Sequence, residues 1–129
     1  MKICLDTSAY IEMRCGNRAV GDLLAECEAV VVPAAMVAEL TEGFLGDSNT
    51  SAKNIELGHF LDMESVTLVP AGYAIAVRYA EISYALRRRG FPIPENDIWI
   101  AATAFETGSR VLSYDHHFDL IDGLGRLAP

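Results

Sequence analysis

Basic residues are scarce in this chain of 129 residues: ten Lys and Arg stand against eighteen Asp and Glu, for a formal net charge of −8. Only Lys2 and Lys53 are lysines. A surface that binds nucleic acid simply by neutralising phosphates is basic, so this composition argues against a plain electrostatic binder. It leaves room for an acidic cluster around a divalent cation, whose own charge inverts the local field, and it suits a basic protein partner. Cysteine is also sparse. Cys4, Cys15 and Cys27 form no Cys-x-x-Cys pair, and an odd count fits reduced thiols in a cytoplasmic protein without a disulfide framework. No apolar run approaches the roughly 18 residues needed to span a bilayer. The apolar start gives way at once to Asp6, so no signal peptide is expected. Repeats, low-complexity tracts and linkers are missing too. What remains is 51% hydrophobic, enough to fold around a core as one domain over residues 1–129.

The apolar residues fall into short runs that end in breakers. Ile3-Cys4-Leu5 before Asp6, Ala29 to Val32 before Pro33, Val66 to Val69 before Pro70, and Arg110 to Ser113 read as strands buried on both faces. Between them lie stretches of helical period. Ala9 to Met13 follows Thr7 or Ser8 as a cap, and Arg18 to Glu28 carries Val20, Leu23, Leu24 and Cys27. Ala35 to Leu45 is the third helix. A loop over 46–51 precedes Ala52 to Met63, where Ile55, Leu57 or Phe60, and Leu61 are expected inside. Gly72 to Arg89 places Ile75, Tyr79, Ile82 and Leu86 on one side and ends on three arginines before Gly90. The prolines of 91–96 forbid regular helix, Asp97 to Thr107 is the last helix, and the tail from Asp119 to Leu127 adds an edge strand. Strands alternating with helices predict an α/β fold, an α/β/α sandwich on a mainly parallel central sheet.

In such sheets the ligand site lies beyond the carboxyl ends of the strands. Asp6 is the first polar residue after the first strand. Glu39 lies about a turn and a half into the helix after the second, Asp97 opens a helix, and Asp115 stands two residues beyond the fourth strand. Carboxylates gathered at one edge repel and raise one another's pKa values, and a hard divalent cation such as Mg2+ or Mn2+ removes that cost. Helix capping and plain solvation are the competing roles for each acid.

The local sequences go further. Leu5-Asp6-Thr7-Ser8, Ala38-Glu39-Leu40 with Gly43, Asn96-Asp97-Ile98-Trp99-Ile100-Ala101-Ala102 and Ser113-Tyr114-Asp115-His116-His117-Phe118, in this order, resemble the PIN-domain ribonucleases, above all the VapC-type toxins of toxin–antitoxin pairs. The resemblance covers essentially the whole chain, and the third motif is its most specific part. It implies a tetrad of Asp6, Glu39, Asp97 and Asp115 holding Mg2+ or Mn2+, an endoribonuclease leaving 5′-phosphate and 3′-hydroxyl ends, an antitoxin protein as partner, and a homodimer. Thr7, Ser8 and Ser113 are candidates to bond metal waters or phosphate, with capping and turn closure as their ordinary roles. Glu42, one turn from Glu39, supports the ligands from outside at most. In the fourth motif His117 stands where the family often has an acid or another polar residue. Contact with RNA or metal is the alternative for His116 and His117, a solvated loop the expectation for both, and Trp99 and Tyr79 are expected in the core.

Arg87 to Arg89, with Arg14 and Arg18, are the only basic resource for an RNA backbone. A haloacid-dehalogenase phosphatase requires a second Asp where Ser8 stands and a positioned lysine that is absent. A receiver domain requires a phospho-acceptor after the third strand, where Val69-Pro70-Ala71 stands. Two rivals share the PIN fold: a non-cleaving protein-binding module, whose mark would be loss of a tetrad acid, and a housekeeping RNA-processing nuclease.

Overall fold

The buried strands order everything else. In a computed structural model that describes all residues 1–129, five strands form one sheet in the order β3-β2-β1-β4-β5. They are β1 (Lys2–Leu5), β2 (Ala29–Pro33), β3 (Val66–Val69), β4 (Arg110–Leu112) and β5 (Arg126–Leu127). Every pairing is parallel, with Cys4 opposite both Val31 and Val111. The expected mainly parallel sheet is therefore wholly parallel, and the tail does supply an edge strand, two residues long.

Alternation of side chains along the strands divides the interior in two. Ile3, Leu5, Val30, Val32 and Leu112 point into one core, and Cys4, Val31 and Val111 into the other. The first core is covered by α1 (Thr7–Arg14), α2 (Arg18–Glu26), α3 (Ala34–Leu45) and α4 (Thr50–Leu61). The second is covered by α5 (Tyr73–Arg89), α6 (Glu95–Thr107) and a 3-10 turn over His116–Leu120. This is the expected α/β/α sandwich. Central strands flanked on both faces must be apolar on both faces, which is why β1, β2 and β4 read as unbroken apolar runs.

Two expectations fail on burial. Ile55 is 59% exposed, and α4 buries Leu57 and Phe60 instead. β3 is an edge strand with Thr67 and Leu68 turned to solvent, not a strand buried on both faces. Tyr79 and Trp99 are partly buried against the second core as expected, stacked with centroids 4.2 Å apart.

The chain winds from β1 to β2 to β3 on one side and then crosses to β4 on the other side of β1. That reversal makes the carboxyl ends of β1 and β4 the switch point where α/β sheets open a crevice. Asp6 follows β1 directly, and Ser113 follows β4 directly. No helix is long and apolar enough to cross a membrane.

Candidate metal centre

Asp6 occupies the N-cap of α1 without making a side-chain cap hydrogen bond. Its carboxylate is spoken for elsewhere. Ser113 Oγ donates to Asp6 Oδ2 at 2.6 Å, and Ser8 Oγ donates to the same oxygen at 3.0 Å. The first is short, as charge-assisted O–H···O bonds are. Ser113 is fully buried and Asp6 is 5% exposed, so the carboxylate is fixed in place. Expectation and structure differ for the hydroxyls of α1: neither Thr7 nor Ser8 caps a helix. Thr7 Oγ1 donates to Glu39 Oε1 at 2.5 Å, and Ser8 also accepts from the Tyr114 amide.

Asp97 stands at the third position of α6, whose N-cap is Pro94. An acid there ordinarily reaches back to the cap residue's N–H. Proline has none, so the capping role expected as the alternative for Asp97 has no donor to receive it. Its carboxyl is pushed up to about 6, chiefly by burial and further by the charges of Asp6 and Asp115, with a hydrogen bond from His117 acting the other way. Asp97 and Asp115 are near enough for their charges to repel, their ligand oxygens within 4.8 Å.

His117 is solvent-exposed as expected, but it also sits between these two carboxylates. Its Nδ1 is 3.0 Å from Asp97 Oδ2 and 3.1 Å from Asp115 Oδ1. The imidazole is accordingly drawn above its ordinary pKa, mainly by the Asp97 hydrogen bond. The 3-10 turn brings it there: Asp115 caps the turn by accepting from the His117 amide, and Phe118 next to it is wholly buried in the second core. His116, by contrast, is 84% exposed and pairs only with Asp119 and Arg126 at the surface.

Ligand atoms of Asp97, Asp115 and His117 all lie within 4.8 Å of one another. The donor set fits a hard divalent cation. Its carboxylate oxygens suit Mg2+ or Mn2+, the imidazole leans toward the softer of the two, and a cation would relieve the repulsion that now falls on Asp97. Asp6 and Glu39 stand outside this trio, Glu39 exposed on α3 and tethered to Thr7, the residue after Asp6. Glu42 is exposed and makes no hydrogen bond or ion pair to these groups. Of the basic residues, Arg14 is engaged with Tyr10 and Glu56, and Arg89 with Leu120 and Asp122.

Comparison with known proteins gives one family and several relatives. The family profile described as PIN domain matches residues 3–124. Ribonuclease VapC5 of Mycobacterium tuberculosis (strain ATCC 25618 / H37Rv) is 28% identical over 119 residues, covering 92% of this chain and 87% of that protein. The solved VapBC-1 of nontypeable Haemophilus influenzae superposes with a TM-score of 0.87 at 23% identity, over 98% of this chain and 97% of that one. VapBC-5 of Mycobacterium tuberculosis, a member of the VapBC family of toxin–antitoxin systems, gives 0.67 at 21% identity over 96% and 93%.

Proposed function

The chain belongs to the PIN-domain family, and from that premise we propose that it is a divalent-metal-dependent endoribonuclease, the toxin of a toxin–antitoxin pair. The observation that carries the proposal is the cluster of Asp97, Asp115 and His117 at the sheet's switch point, with Asp6 fixed by Ser113 at the end of β1. A buried Asp97 with a raised pKa beside the partly exposed Asp115 supports a functional site, and a cation would offset their repulsion. The likeness to a VapC ribonuclease and to VapBC complexes supports both RNA as substrate and an antitoxin as partner.

Asp6, Asp97 and Asp115, with Glu39 from α3, would hold Mg2+ or Mn2+. When bound, the ion supplies Lewis acidity at the phosphoryl oxygens and lowers the pKa of a water. The chain's own contribution is order. Ser113 and Ser8 fix the Asp6 carboxylate, Thr7 fixes Glu39, and the capped 3-10 turn fixes Asp115 beside Asp97. Ligands locked by hydrogen bonds need no rearrangement as charge develops in the transition state. His117 can carry a proton beside the carboxylates until a cation replaces that charge.

The test is cleavage of RNA by the purified protein with Mg2+ or Mn2+, beside an Asp6→Asn variant. Cleavage leaving 5′-phosphate ends is expected from the wild type alone. Equal cutting by both proteins contradicts the role of Asp6, and RNA left intact across metals favours a non-cleaving module.

A further inference from the structure

The strand at the end of the sheet is too short to hold itself, and its first residue does more than pair. Arg126 in β5 has a side chain only 12% exposed, although it is charged and on an edge strand. Its Nη1 donates to the Ser113 carbonyl at 3.0 Å, its Nε to Asp119 Oδ1 at 2.7 Å, and its Nη2 to Asp119 Oδ2 at 3.0 Å. Ser113 begins the segment that carries Asp115 and His117, and Asp119 ends it. One planar guanidinium therefore joins both ends of that segment, a span that only the arginine fork matches.

We propose that Arg126 is a positioning residue for the candidate metal centre, clamping the 113–119 segment so that Asp115 and His117 face Asp97. The inference rests on the metal reading above and deepens it. Shifting the Ser113 backbone would move one hydroxyl that serves two bonds: it donates to Asp6 and accepts from the Asp115 amide, 2.9 Å away. The Asp119 partner is 47% exposed, so solvent screens the pair's part in global stability, although its bidentate geometry sets it above an ordinary surface pair. The clamp acts on local geometry.

Arg126→Lys and Asp119→Asn test this in two measurements on the full chain. In metal-free protein, hydrogen exchange at the Asp115 and His117 amides should accelerate in both variants while the melting temperature falls by only a few degrees. Mn2+ affinity, read by titration, should weaken roughly 10- to 100-fold in each, the usual range for groups that orient ligands, and the double variant should be no weaker than the worse single. Unchanged exchange in folded variants overturns the clamp. Faster exchange with Mn2+ affinity within twofold of wild type overturns its role at the metal centre. If the wild type binds no Mn2+, the metal reading fails, and exchange alone still decides whether Arg126 holds the segment.

Discussion

Ser113→Ala removes one oxygen and breaks the shorter of the two hydrogen bonds that hold Asp6. The hydroxyl is fully buried, donates to Asp6 at 2.6 Å and accepts from the Asp115 amide at 2.9 Å. A hydrogen bond to a charged group contributes about 1.5–3 kcal/mol, and leaving the amide without its acceptor adds about 1 kcal/mol. The expected loss is about 3 kcal/mol. With an unfolding entropy near 2.1 cal/mol/K per residue, this lowers the melting temperature by about 10 °C. Ser8→Ala is the internal comparison. Ser8 donates to the same oxygen at 3.0 Å but is only half-buried, so its loss should cost about 1 kcal/mol. Denaturant unfolding of both variants in chelator measures the difference. Equal losses, or a loss below about 1 kcal/mol for Ser113→Ala, would refute the claim that this hydroxyl fixes Asp6.

Two further outcomes follow from the titrating groups. Asp97 has a folded pKa of about 6 against an ordinary 3.8, so its ionisation opposes folding: the cost is absent below about pH 4 and complete above about pH 6. The raised His117 works in the same sense, because its favourable pairing is lost as pH rises through its folded pKa. In chelator, Asp97→Asn should therefore stabilise the protein by about 1–3 kcal/mol at pH 8 and by much less at pH 4.5, as thermal melts at the two pH values would record. Thiol labelling should find the exposed Cys15 first, then Cys27, whose pKa is raised mainly by burial, and Cys4 only after unfolding, since complete burial holds its thiol far above the reactive range.

The strands β1, β2 and β4 were legible because a central strand must be apolar on both faces, and no helix of three or four such residues competes with that reading. β3 carries the same kind of run, Val-Thr-Leu-Val, yet lies at the edge. Composition does not separate the two, because edge position depends on where the chain crosses the sheet. Ile55 failed for a related reason. The apolar spacing of its helix allows more than one buried face, and packing against α3 selects Leu57 and Phe60. At the site, the motifs named the four acids, and the fold brings Asp6, Asp97 and Asp115 to one edge. Arg126 was not readable, and for His117 metal contact was legible only as the alternative to a solvated loop. Placing His117 between two carboxylates takes the 3-10 turn that Asp115 caps, and Arg126 reaches Ser113 only through the pairing of β5 with β4. The local signals were the Asp-x-His spacing, which a solvated loop shares, and the place before Phe118, where the resembled family often has an acid.

Mn2+ binding to the wild type and to Asp97→Asn, each shown to be folded, tests the central claim most directly. A carboxylate cluster built for a cation should bind Mn2+ in the wild type and lose most of that affinity when Asp97 is neutralised, with RNA cleavage falling in parallel. Unchanged Mn2+ affinity in the variant would contradict it.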